Sequence, residues 1–171
     1  MSREIPSGFT DVSVIVAAYQ AADTITRTLT SIAAQTLKPV EVVVVDDGST
    51  DATFKTAQAF EPQMNGIQLR VVRMDANQGA GAARNHAIEE STCGTLAFLD
   101  ADDEWLPEKL ERSMAHLMGS NYCLIAHDYW TGDGDAAVHH DCQSRFNEGD
   151  DAFAGLYRKG YIPSSSVVAP R

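Results

Sequence analysis

Residues 12–18, Val12-Ser13-Val14-Ile15-Val16-Ala17-Ala18, form a β-branched apolar run much shorter than a membrane span and predict a buried strand. Over residues 22–35 the period changes, with Ile25, Leu29, Ile32 and Ala33 on one helical face and Asp23 placed to cap the first turn. Residues 40–45 read as a second strand ending in Asp46-Asp47-Gly48, after which Ser49 or Thr50 can cap a helix running to about residue 59. A weaker third strand covers 67–72, and a helix of small residues covers 80–90. A fourth strand occupies 95–99, and a helix with Pro107 in its first turn occupies 107–118. The last third is less regular. Residues 122–126 read as a strand, 131–135 as a turn, 136–139 as a short return strand, and 150–159 as a helix followed by the apolar stretch 162–168.

Strands alternating with helices predict an α/β fold, a Rossmann-like and mostly parallel sheet with helices on both faces. Ligands of such folds lie at the carboxyl ends of the strands. The polar clusters fall there, above all Asp100-Ala101-Asp102-Asp103 directly behind the fourth strand. A turn can bring Asp100 and Asp102 round one hard cation, and no basic residue between Gly94 and Pro107 neutralises them. The expected partner is a cation carrying a phosphorylated substrate.

Size and charge narrow the choice. The chain of 171 residues fits one domain, and its 44% apolar content is ordinary. With 13 basic and 24 acidic residues the formal net charge is −11, which argues against a nucleic-acid or anionic-membrane surface. A phosphorylated ligand then needs a metal or a local basic group. Cys93, Cys123 and Cys142 lack metal-ligand spacing, and their odd number points to a reducing compartment. The opening residues lack the apolar segment of a signal peptide, and no run reaches membrane length.

The chain resembles the family 2 glycosyltransferases of the GT-A, nucleotide-diphosphosugar fold. The resemblance rests on the first strand with Tyr19 and on Asp46-Asp47-Gly48-Ser49-Thr50-Asp51. Asn77-Gln78-Gly79 with Ala82-Ala83-Arg84-Asn85 and Phe98-Leu99-Asp100-Ala101-Asp102-Asp103 follow, then Trp105 with Pro107. Their order and spacing agree over about the first 120 residues, and the tail from Ile162-Pro163-Ser164-Ser165-Ser166 to Arg171 also fits. One departure is mild: the family's first strand usually ends Tyr-Asn, and here it ends Tyr19-Gln20. The other is larger, because the acidic motif that supplies the family's general base is expected beyond Arg171.

That resemblance implies a single domain over residues 1–171, with a nucleotide-sugar-binding part at 10–118 and an incomplete acceptor-side part at 119–171, truncated at its C-terminal side. It implies inverting transfer of a sugar from a UDP- or dTDP-sugar to the hydroxyl of a saccharide or lipid-linked saccharide. Asp102 would ligate Mn²⁺ or Mg²⁺, while Asp100 would contact the ribose or the water shell of the metal. Asp46 would accept the N3–H of the base, unless it only forms an Asx-turn at Gly48. Ala17 and Tyr19 would pack the base, with a tyrosine closing the core's rim as the plainer reading. Arg84, embedded among small residues, would clamp a phosphate or hold a site carboxylate. A cytoplasmic location follows, with peripheral association of the parent protein at the inner face of the membrane among the expectations.

Other residues carry less. Trp105 is expected to pack the loop, and His127 with Asp128 is a candidate for the acceptor side. His139-His140-Asp141-Cys142 reads as an exposed turn, because adjacent histidines in a strand face opposite ways. Ser164, Ser165 and Ser166 sit beside the acceptor floor without a nucleophile motif. Rival readings are an inactive nucleotide-sugar-binding module and a nucleotidyltransferase-like enzyme. The latter normally shows a basic, Gly-rich loop after the first strand, and residues 18–24 hold neither glycine nor lysine. A dinucleotide dehydrogenase is poorer still, lacking G-x-G-x-x-G there.

Overall fold

The computed structural model describes residues 7–118, 120–132, 134–146 and 162–171. In chain order the first elements are β1 (Phe9–Ala18), α1 (Ile25–Ala33), β2 (Lys38–Asp46), α2 (Thr53–Ala59), β3 (Gln68–Arg73) and α3 (Ala80–Glu90). There follow β4 (Thr95–Asp100), α4 (Lys109–Met118), β5 (Tyr129–Thr131), β6 (Val138–His140), α5 (Cys142–Phe146) and β7 (Val168–Pro170). The main sheet has the order β3-β2-β1-β4-β7, with β1 to β4 parallel and β7 antiparallel at the edge.

The period of two along the strands assigns each residue to a layer. Val12, Val14 and Val16 of β1, Val42 and Val44 of β2, and Ala97 and Leu99 of β4 face α1, α2 and α4, packing on Ile25, Leu29, Ile32, Ala57, Leu110 and Met114. The alternate set, Ile15, Val43, Val45 and Leu96, packs on Ala83 and Ala87 of α3. All four of Val42 to Val45 are fully buried, each removal from water stabilising the fold by about 1.5–3 kcal/mol. The amino end of the sheet is tied by Glu41. Its Oε1 accepts hydrogen bonds from Ser13 Oγ (2.6 Å), Thr92 N (2.6 Å) and Thr92 Oγ1 (2.9 Å), and Ser13 Oγ in turn accepts from Cys93 N.

The structure redraws several sequence expectations. Helix α1 starts after Thr24, which makes no side-chain cap, instead of being capped by Asp23. Ser49 and Thr50 do not cap α2. Asp51 Oδ1 takes Thr53 N (2.9 Å), while Ser49 and Thr50 bind Gln20. Residues 122–126 form no strand, only a bridge between Ile125 and Val168. His139 and His140 lie in β6 of a hairpin, where His140 stacks on Tyr129 at 4.5 Å, so the turn reading gives way to paired strands. Helix α5 was not foreseen. The helix expected at 150–159 lies outside the described residues.

Candidate functional site

Register decides which side chains share a face at the carboxyl edge. Ala17 stands opposite Val45 on one side and Asp100 on the other, whereas Ala18 stands opposite Asp46. Ala17, Tyr19, Asp47 and Asp100 therefore belong to the α3 side of the sheet, and Asp46 to the α1–α2 side. A cleft of about 190 Å³ opens on the α3 side, lined by Ala17, Tyr19, Asp47, Asn77, Gly79, Ala80 and Ala83, among others. Small residues at the start of α3 leave this space free. Tyr19, half exposed, offers a ring at its rim.

Asp47 is buried, and its two oxygens accept the amides of Gln78 and Gly79, each at 2.8 Å. A carboxylate so held keeps lone pairs for another donor. The intervening Gly48, at φ +70°, lets this loop lie directly on the backbone of Ala76 and Asn77. Asp46 is fully buried on the opposite face, where Oδ1 accepts Ser49 N (3.1 Å) and Oδ2 lies 3.4 Å from Arg73 Nε. The structure thus brings Ala17 and Tyr19 to the cleft and leaves Asp46 out of it. The substitution at Gln20 is accommodated with a left-handed backbone (φ 51°). Its Oε1 takes the amides of Thr50 and Asp51, and its Nε2 reaches Thr50 Oγ1, joining the ends of β1 and β2.

The acidic loop after β4 is held from three directions. Arg84 of α3 donates to Asp100 Oδ1 (2.5 Å) and to Ser164 Oγ (3.0 Å), so this guanidinium holds a site carboxylate. Ser164 Oγ donates to Asp100 Oδ2 (2.8 Å), and Ser165 Oγ donates to Asp103 Oδ2 (2.5 Å) while accepting Asp100 N (3.0 Å). Arg27 of α1 donates to the Asp102 carbonyl (2.9 Å) and lies 3.6 Å from Glu104. The expectation of an unneutralised run is corrected accordingly: two arginines, remote in sequence, stand against it. Ser164 and Ser165 are site supports that sequence reasoning left as mere neighbours. Three hydroxyls in a row behind Pro163 were the available signal.

Among the described residues, no group of three His, Cys, Asp or Glu side chains could hold an ion alone. The loop suits a shared one. Asp102 is exposed, and among the described residues no hydrogen bond or ion pair engages its carboxylate. Mg²⁺-type ions commonly take one or two protein carboxylates and complete their shell with phosphate and water. Trp105 packs behind the loop, as expected, with Nε1 donating to Ser165 O (2.8 Å). His127 is turned inward, and burial lowers its pKa despite the adjacent Asp128 carbonyl. His139 pairs with Asp128 (3.2 Å) in the hairpin, so the two adjacent histidines do not build a metal centre.

Comparison with known proteins agrees with this geometry. The family described as glycosyl transferase family 2 matches residues 13–165. Succinoglycan biosynthesis protein ExoU of Rhizobium meliloti (strain 1021) is 46% identical over 101 residues, 59% of this chain and 29% of that protein. The crystal structure of S. aureus TarS residues 1–349 in complex with UDP superposes with a TM-score of 0.71 at 28% identity, covering 93% of this chain and 46% of that one. The mannosyltransferase PcManGT of Pyrobaculum calidifontis, in complex with GDP-Man and Mn²⁺, gives 0.64 at 28% identity, covering 68% and 35%. The chain spans under half the length of the curated relatives it matches. No helix among the described residues is long and apolar enough to cross a membrane.

Proposed function

Since the chain belongs to glycosyltransferase family 2, with its mostly parallel α/β sheet, we propose that it is the donor-binding part of an inverting sugar transferase. The donor would be a UDP- or dTDP-sugar, and the acceptor a hydroxyl of a growing saccharide, free or lipid-linked. One observation carries this reading. A cleft walled by Ala17, Tyr19 and Asp47 lies at the same edge of the sheet as an acidic loop whose Asp102 carboxylate has no partner among the described residues. The TarS likeness, in complex with UDP, supports the choice of donor.

The base would pack on Ala17 and Tyr19, and the role first given to Asp46 passes to Asp47. Its carboxylate, fixed by two amides, can accept the N3–H of a uracil or thymine edge. Asp100, oriented by Arg84 and Ser164, would receive ribose hydroxyls. Asp102 would hold a Mn²⁺ or Mg²⁺ ion that neutralises the departing diphosphate, a choice supported by the Mn²⁺ in the PcManGT complex. Transfer would then be direct displacement at the anomeric carbon, assisted by a general base that takes the proton of the acceptor hydroxyl. A cytoplasmic setting, with the parent protein at the inner membrane face, fits such a reaction.

The test is calorimetric titration with UDP in the presence of Mn²⁺ or of EDTA. Metal-dependent UDP affinity is expected, and Asp102→Ala should abolish its metal dependence. Equal affinity with and without metal, or an unaltered variant, would overturn the proposed role. Because the chain spans under half of its relatives, binding without turnover is the second reading. Hydrolysis or transfer of a UDP-sugar separates the two.

A further inference from the structure

Lys109, at the start of α4, folds inward. It is 7% exposed, its Nζ has no hydrogen-bond partner among the described residues, and that nitrogen sits 3.9 Å from the centroid of the Trp105 ring. An ammonium on an aromatic face gains less than its burial costs. Stability of the fold therefore does not account for a lysine here, and an apolar residue would pack at less cost.

What the ammonium touches does account for it. Trp105 is a strut: its Nε1 donates to Ser165 O (2.8 Å) and its amide to Ser31 Oγ (3.1 Å). Ser165 Oγ reaches both ends of the acidic loop, Asp100 N at 3.0 Å and Asp103 Oδ2 at 2.5 Å. A continuous path of contacts runs from the lysine through the ring and the serine to the loop that carries Asp102.

We propose that Lys109 is a positioning residue for the nucleotide site, acting through Trp105 and Ser165 to hold the acidic loop in the form that receives a metal-bound diphosphate. The proposal rests on the functional reading above.

Its electrostatic setting makes it testable. Burial pushes the Lys109 pKa down to about 7. The titratable neighbour across from it is His127, itself lowered by burial and by the Lys109 charge. Among the described residues, the carboxylates of the surrounding elements have other partners. Asp128 accepts Cys142 N and pairs with His139, Glu111 accepts Thr36 Oγ1, Asp103 accepts Ser165 Oγ, and Glu104 pairs with Arg27. Glu108, on the same helix, is exposed. The charged form of Lys109 that grips the ring prevails below its pKa and is lost above it.

The experiment measures UDP affinity with Mn²⁺ at about pH 6 and about pH 8 for the wild type, Lys109→Met and Lys109→Arg. At the lower pH the methionine variant should bind roughly three- to tenfold more weakly than wild type, and at the higher pH nearly equally. The arginine variant, charged at both pH values, should match wild type at the lower pH and bind more tightly than wild type at the higher. A methionine variant with wild-type affinity and an unchanged pH slope overturns the proposal, and so does one that loses stability alone. Should that variant not fold, Trp105→Phe keeps a ring but removes the donor to Ser165. It should weaken UDP binding at both pH values, and unchanged affinity there overturns the proposal too. A wild type without UDP affinity overturns the functional reading instead. In that event Trp105 fluorescence in a Trp130→Phe background should change with a midpoint near pH 7 that Lys109→Met abolishes; a flat response in the wild type overturns the present proposal.

Discussion

Gly48 is the position where the cleft's construction is most exposed to test. A Cβ there would lie 2.7 Å from Ala76 C, 2.8 Å from Asn77 N and 2.9 Å from Ala76 Cα, all of them backbone atoms that cannot rotate aside. Their segment is also pinned, because Asp47 holds the amides of Gln78 and Gly79. Gly48→Ala adds left-handed strain of about 1–2 kcal/mol and overpacking of about 1–3 kcal/mol. For a domain of this size each kcal/mol lowers Tm by roughly 2–4 °C. Gly79→Ala is the control. Gly79 adopts φ 93° and ψ 154°, a conformation also strained for any other residue, but a Cβ there meets nothing within 4 Å. Urea denaturation of both variants isolates the collision, expected to make Gly48→Ala the less stable by about 1–3 kcal/mol. Gly48→Ala should also weaken UDP binding, since the segment that cradles Asp47 must shift. Stability equal to or above that of Gly79→Ala would refute the close approach of the two loops.

Two further outcomes follow from buried groups. Burial alone would raise the pKa of Glu41, but hydrogen bonds from Ser13 and Thr92, with the Arg70 charge, outweigh it and hold the carboxyl below its ordinary value of 4.5. Its contribution is present above about pH 4.5 and disappears as pH falls through the lowered pKa, so thermal melts between about pH 3 and pH 6 should show Glu41→Gln with a shallower acid limb than wild type. Cys93 is buried, and that burial pushes its thiol up to about 11, while Cys123 is exposed. In the native protein, a thiol reagent near pH 8 should label Cys123 rapidly and Cys93 only on unfolding; rapid labelling of Cys93 would contradict its place beneath the sheet's amino end.

The parallel core was legible because its strands are buried on both faces, and continuous valine runs announce that burial without any long-range information. Helix α3 was read with both of its boundaries, 80 and 90, because small residues need no partner to suggest close packing. The last third was not legible in the same way. Strand β7 has three residues and depends on pairing with β4, more than sixty positions earlier in the chain. Local pattern cannot supply that partner. A similar distance in sequence hid three supports of the acidic loop, Arg27 from α1 and Ser164 and Ser165 from the tail, whereas Arg84, sixteen residues before Asp100, was legible as a holder of a site carboxylate.

Which of Asp46 and Asp47 faces the cleft turned on a single structural fact. Once Ala17 and Tyr19 were taken together as one wall, alternation along β1 placed both on the face of Ser13 and Ile15. Parallel pairing with β2 then aligns Val43 and Val45 with that face, and the next residue in step is Asp47, not Asp46. What sequence alone lacked was the register, the offset of β2 against β1, and one residue of slip exchanges the two carboxylates. Lys109 carried a similar clue. It lies one turn before Ser113, whose neighbours Leu110, Met114 and Leu117 mark the buried face of α4, so helical period put the lysine inside. What the period could not show is the Trp105 ring that the ammonium meets inside, a contact set by the loop before α4.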